Sequence, residues 1–198
     1  MRKQNLFALI TASVLLTLMP GLGLADWSLD GANSSVNFES TKNGQVTESH
    51  SFKKLKGRIE NSGVATLVID LDSVDTMIPI RDERIRTMLF NTKKFPKAVI
   101  RVDLELATFN KLKLDSSVER QIKGNLTLNG VTQEVDVTVS VLKSKYQVVV
   151  ASVEPIVIDA ADWDLGPGIE SLRAIANLTS ITTSVPVSFK LQYNLNLD

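Results

Sequence analysis

From about residue 33 onward, apolar and polar positions alternate along the chain, the two-residue period of a half-buried strand. Val36 and Phe38 are interleaved with Asn37 and Glu39. Ala65, Leu67, Ile69 and Leu71 oppose Thr66, Asp70 and Asp72, which places those two aspartates on the wet face of a strand. Ile100, Val102, Leu104 and Leu106 oppose Arg101, Asp103 and Glu105. Ile122, Leu126 and Leu128 face away from Lys123, Asn125 and Thr127, and Val135, Val137, Val139 and Val141 face away from Glu134, Asp136, Thr138 and Ser140. Val185, Val187, Phe189, Leu191 and Tyr193 form the last such face. Runs of this kind predict antiparallel strands with one face in the core and one in water. Asn129-Gly130 lies between two runs and predicts a two-residue hairpin, because both positions must accept a positive φ. Asn43-Gly44 and Asn61-Ser62-Gly63 predict two further turns. The runs amount to about eight strands, and long strands joined by hairpins leave unpaired edges unless the sheet closes. The expectation is therefore all-β: an eight-stranded antiparallel up-and-down barrel with one or two short helices in its loops.

Two segments break the alternation. In IRDERIRTMLFNTKKFP, Ile80, Ile85, Met88 and Leu89 recur at roughly helical spacing, with Arg81, Glu83, Arg84 and Arg86 on the other side. Pro79 suits a helix start and Pro96 a stop. The expected arrangement is an end cap whose apolar side lines the barrel mouth and whose charged side meets water. Asp82 and Arg86, four apart, could form a surface pair contributing a few tenths of a kcal/mol; alternatively, one Arg turns toward the mouth to meet a polar ligand head. The second break, Gly166-Pro167-Gly168 and IESLRAIAN, carries an apolar stripe of Ile169, Leu172, Ile175 and Ala176.

The first 25 residues read differently. Arg2 and Lys3 precede an apolar run from Leu6 to Met19 and the small-residue boundary Gly23-Leu24-Ala25, the pattern of a cleaved secretory leader. Residues 1–25 are thus expected to be a signal peptide and residues 26–198 a single exported β-barrel domain. Basic and acidic residues balance at 22 each, which leaves no electrostatic footprint for nucleic acid. The absence of Cys means that stability must come from the core. His50 is the single histidine, on the polar run TESHSF, where a solvated or hydrogen-bonded ring is the plain reading. With no nucleophile elbow near it, a triad is not indicated and no enzyme is expected. One His without Cys leaves only carboxylates for a metal, and none is expected as a cofactor.

DWSLDGANSSVNFES, LKGRIE, IRDERIRTMLFNTKKFPKAVI, IKGNLTLNGVTQEVDVTV and DAADWDLG together resemble the YceI-like family, bacterial periplasmic proteins of lipocalin-like barrel shape associated with polyisoprenoid binding. Arg84 stands where that family commonly has His, and Ile85 where it has Leu. The resemblance implies that residues 26–198 are a lipid-binding β-barrel domain in the periplasm, a carrier for a polyisoprenoid or similar lipid. Phe38, Leu67, Ile69, Ile100, Val102, Leu104, Val135, Val137 and Phe189 would line the tunnel, with Arg84 and Met88 at its mouth. The alternative is an interaction module acting on a membrane redox or envelope stress partner without cargo. A homodimer is a further candidate assembly.

Overall fold

The computed structural model describes residues 26–196; the leader predicted over residues 1–25 lies outside the described residues. Among the described residues twelve strand segments form one antiparallel sheet. They are β1 (Trp27–Leu29), β2 (Ser35–Lys42), β3 (Val46–Phe52), β4 (Leu55–Ile59), β5 (Val64–Asp70), β6 (Val74–Asp75), β7 (Lys97–Asp103), β8 (Ser116–Leu128), β9 (Val131–Lys143), β10 (Gln147–Ser152), β11 (Ile156–Asp159) and β12 (Ser184–Leu195). β1, β4, β5, β7, β8, β9, β10 and β12 close into a ring of eight, sealed where Trp27 pairs with Leu195. The remaining segments continue ring strands past a bend. β1 and β2 run in turn along one edge of β12, and β10 and β11 along its other edge. β3 leads into β4, and β5 into β6, in the same way. With the bent pieces joined, spatial order follows chain order, as the alternation predicted.

Two of the bends, β1 to β2 and β5 to β6, and the turn that follows β11 share one chemical device. Asp30 Oδ1 accepts from the amides of Ala32 and Asn33 at 3.1 and 3.2 Å. Asp70 Oδ1 accepts from Asp72 N at 3.1 Å, and Asp159 Oδ1 from Ala161 N at 3.0 Å. Each aspartate caps a short 3-10 turn, satisfying amides that the strand ladder has released. Asp70 therefore ends its strand and Asp72 lies in the turn, so the wet-face expectation for this pair is corrected. The cap turns Leu71, 2% exposed, into the core instead.

The turn chemistry is as expected. Asn129 and Gly130 have φ of 53° and 81°, and Leu128 pairs directly with Val131 across them. Asn43 and Gly44 also have positive φ, 53° and 65°, but Lys42 pairs with Val46, so this hairpin loop has three residues. The helices are α1 (Pro79–Arg84), continued by a π turn over Ile85–Leu89, α2 (Leu106–Asn110) and α3 (Gly166–Ile175). α2 was not anticipated: β7 ends at Asp103, and Leu106 opens a helix rather than extending the strand. Its Phe109 meets Trp27 edge-on, ring centroids 6.3 Å apart, and the Lys143 ammonium sits 4.3 Å above the Phe109 ring. This aromatic stack floors one end of the ring.

Buried Tyr193, on β12, supplies a pH prediction. Burial pushes its phenol from the ordinary 10.0 up to about 12. A raised folded-state value means that this contribution is fully present below pH 10 and is lost as pH rises through 12, about 2–3 kcal/mol in all. Urea unfolding at pH 9 and pH 12 should show wild type losing more stability than Tyr193→Phe. Equal losses would mean that the phenol ionises as freely in the folded chain as in the unfolded one.

Candidate ligand-binding cavity

Three chambers run end to end inside the ring. The innermost holds about 170 Å³ and is walled by β4, β5, β7, β8, β9, β10 and β12. Leu67, Ile69, Ile100, Val102, Leu104, Val135, Val137 and Phe189 all line it, so the period-two alternation assigned their faces correctly. The middle chamber, about 140 Å³, shares Val36, Ile69 and Val187 with the first and is lined only by apolar residues. The outer chamber, about 310 Å³, shares Phe38, Leu89, Ile169 and Val185 with the middle one. An eight-stranded ring has room for packed side chains or one small ligand, and the shared lining residues set these chambers next to one another in a row.

Aromatic side chains lead inward from the mouth. His50 lies 5.2 Å from Phe38, Phe38 lies 5.3 Å from Phe52, and Phe52 lies 6.1 Å from Phe90, measured between ring centroids. Cross-strand pairing of Phe38 with His50 sets the first step. His50 and Phe52 have the same parity on β3, so both point inward.

α1, the π turn and α3 form the mouth. α3 lies close against the π turn because Gly168 has no side chain; a Cβ there would stand 2.8 Å from the Met88 carbonyl oxygen and 2.9 Å from Leu89 Cα. Ile85 and Ile169 are buried at this junction, while Ile80 and Ile175 are 59% and 50% exposed on the rim. The cap is thus rotated from the sequence expectation: Ile80 faces out and Arg81 faces in. Asp82 does not pair with Arg86 but accepts from the Thr76 amide at 2.8 Å and hydroxyl at 2.5 Å, anchoring the start of α1. Arg86 pairs with Glu83 at 3.1 Å instead. Arg84 is half-buried and lines the outer chamber, as does Phe38. Met88 sits in the π turn and is not among the residues lining these chambers; its carbonyl faces α3.

The polar end of the cavity centres on Arg81 and His50. Arg81 Nη1 donates to Glu48 at 2.7 Å and Nη2 to the Thr76 carbonyl at 2.6 Å. Glu48 also binds Lys42, which holds its carboxyl below the ordinary range, with the Arg81 charge adding to the effect. His50 is 5% exposed and its Nε2 is bonded to Ser40 Oγ at 3.0 Å, so of the two expected states, solvated or hydrogen-bonded, the ring takes the second. Burial, then the Arg81 charge, pushes the imidazole below its ordinary value, so the ring is neutral at pH 7. His50 Nδ1 and Arg81 Nε are buried and have no hydrogen-bond partner among the described residues. The sequence allowed for one Arg turning to the mouth but named Arg84 rather than Arg81, and it did not single out His50, although His50 shares strand parity with Phe52.

Comparison with known proteins is consistent across sequence and structure. The YceI-like domain pattern matches residues 27–193. Protein YceI of Salmonella arizonae is 32% identical over 142 residues, spanning 67% of this chain and 70% of that protein. A polyisoprenoid binding domain from Saccharophagus degradans, implicated in plant cell wall breakdown, superposes with a TM-score of 0.83 at 38% identity, covering 86% of this chain and 98% of that one. BcnA of Burkholderia cenocepacia shares the fold, with a TM-score of 0.64 at 19% identity over 83% of this chain and 98% of that one. With its ring, Asn-Gly hairpin and capped mouth matched from Trp27 to Tyr193, this chain belongs to the YceI-like family.

Proposed function

We propose that this protein is a non-catalytic periplasmic carrier that holds a long apolar or amphiphilic lipid, of isoprenoid type, inside the ring. The observation carrying the proposal is the row of three adjoining chambers with a wall that is almost wholly hydrocarbon until the mouth. Each CH₂ of a ligand transferred there from water contributes roughly 0.8 kcal/mol, so a prenyl chain needs few polar contacts to bind tightly. The likeness to the polyisoprenoid binding domain of Saccharophagus degradans supports the choice of cargo, and the leader-like start supports the location.

One mass measurement tests both parts. Protein recovered from the cell envelope and sprayed under native conditions should begin at Asp26 and carry a discrete lipid mass that organic extraction removes. A chain still beginning at Met1 would overturn the export step. A protein that stays empty after expression in lipid-rich cells would overturn the cargo and leave the partner-module reading in its place.

A further inference from the structure

β9 has a strand on each side for only part of its length. Around the Asn129-Gly130 turn Leu128 pairs with Val131, so Val131, Gln133, Val135 and Val137 turn their main-chain groups toward β8. Thr132, Glu134, Asp136 and Thr138 turn theirs the other way. β10 meets that edge from Val139 to Lys143, and the Val153 amide still donates to the Thr138 carbonyl at 3.0 Å. There the strands part. β11 follows β12 alone: the Ala160 amide donates to the Thr183 carbonyl, so Val157 and Asp159 turn their main-chain groups away from β12. Among the described residues, no hydrogen bond rejoins the two sides until Gln133 Nε2 donates to the Asp162 carbonyl at 3.3 Å. Between these two crossings lies a slit, edged on the β9 side by the amides and carbonyls of Glu134 and Asp136, both exposed residues.

An unpaired strand edge is a template for another strand. The charge along this one says which strand it takes. Residues 131–138 and 153–163 contain Glu134, Asp136, Glu154, Asp159 and Asp162 and no Lys or Arg. Lys123 on β8 is shared between Glu134 and Asp136, at 2.8 and 3.6 Å, which leaves the set short of cations. Such a border repels a second copy of itself and attracts a cationic segment. We propose that the slit between β9 and β11 is a docking edge for an extended, basic segment of a partner protein, which adds to β9 as a further strand. The face alternation sets the pattern of that segment. Glu134 and Asp136 are exposed on the outer face, while Val135 and Val137 line the ring beside Ile156. A strand added to β9 therefore presents Lys or Arg outward and an apolar residue inward, in alternation. The hydrocarbon stems of its basic residues would also cover Val157 and Val153, 65% and 43% exposed.

Three capped pentapeptides titrated into the protein test the proposal. One alternates lysine and valine, one has glutamate for each lysine, and the third is the first with its lysine amides N-methylated. The plain lysine peptide should bind at least about 10-fold more tightly than either of the others, because the second reverses the charge and the third loses its main-chain bonds to β9. Amide exchange read by NMR places the contact. The Glu134 and Asp136 amides should exchange freely in the protein alone and at least about 10-fold more slowly at saturating lysine peptide. Glu134→Lys should shrink the margin between the lysine and glutamate peptides; an unchanged margin would put the charge selection elsewhere and overturn the acidic edge. Equal binding of the plain and methylated peptides would reduce the contact to charge and overturn strand addition. Slow exchange of both amides in the free protein overturns the proposal too, since the edge is then already covered. Exchange that slows with protein concentration alone gives the edge to a second copy instead. Should Glu134→Lys not fold, the wild-type panel decides by itself. None of these outcomes turns on whether the ring holds a lipid, so the carrier reading is tested separately.

Discussion

Trp163→Ala is expected to be the most damaging single change to stability, costing about 3–5 kcal/mol from the lost ring alone. Trp163 is 3% exposed and fills the junction between the Asp159-capped turn and the β8–β9 hairpin. Its indole N–H donates to the Leu126 carbonyl at 3.1 Å, and its own carbonyl accepts from Asn129 Nδ2 at 3.0 Å. Truncation opens a cavity and strips the Leu126 carbonyl of that bond, while the Asn129 contact, made to backbone, can persist. In a domain of this size the melting temperature should fall by roughly 10 °C. Trp163→Phe separates the two effects: most of the ring stays and the N–H goes, so the loss should be nearer about 1–2 kcal/mol. Leu165 and α3 follow directly, so loosening this anchor should also weaken ligand binding at the mouth. An alanine variant melting within a degree or two of wild type would mean that the turn is held by its Asp159 cap instead.

What could be read from the sequence followed the range of the interactions involved. Strand faces are local, because parity alone puts Leu67 and Ile69 inside. Asn129-Gly130 is local too, since the backbone demand for positive φ is met by those two residues themselves. The bends were hidden because an aspartate that caps a turn and an aspartate on a wet face look alike in one dimension; Asp70 was read as the second and acts as the first. The cap helix was rotated for a related reason. Helical spacing ranked Ile80 as inward, but Arg81 has Glu48 and the Thr76 carbonyl waiting across the mouth, and those bonds fix which side turns in. His50 was judged by its polar neighbours Ser49 and Ser51, which point the other way on the strand. Nothing nearby in the chain announces that the ring is buried, or that Arg81, 31 positions on, adds its charge to that burial in depressing its proton affinity.

Val137→Phe should lower affinity for a long-chain ligand at least about 10-fold while barely disturbing the empty protein. Val137 lines the innermost chamber, and a phenyl ring would occupy space that the chain needs. Two residues along the same face of β9, Val139 is 1% exposed and lines none of the three chambers. The constant register of β8 against β9 keeps both side chains on one side, so the pair compares hollow with solid at one step of the strand. In solid packing, added bulk costs about 1–3 kcal/mol in strain, which is the expectation for Val139→Phe. In the hollow, the new ring gains contacts instead, and apo stability should stay within about 1 kcal/mol of wild type or rise. Asp136→Lys is the outward control. It is exposed beside Lys123, 3.6 Å away, and reversing its charge should cost no more than about 0.5 kcal/mol with no change in affinity. Thermal melts of delipidated protein and lipid titrations on all three variants give the readout. Should Val137→Phe destabilise the empty protein as strongly as Val139→Phe, the ring is filled at that level, and any cargo must lie nearer the mouth, between Phe38 and Arg81.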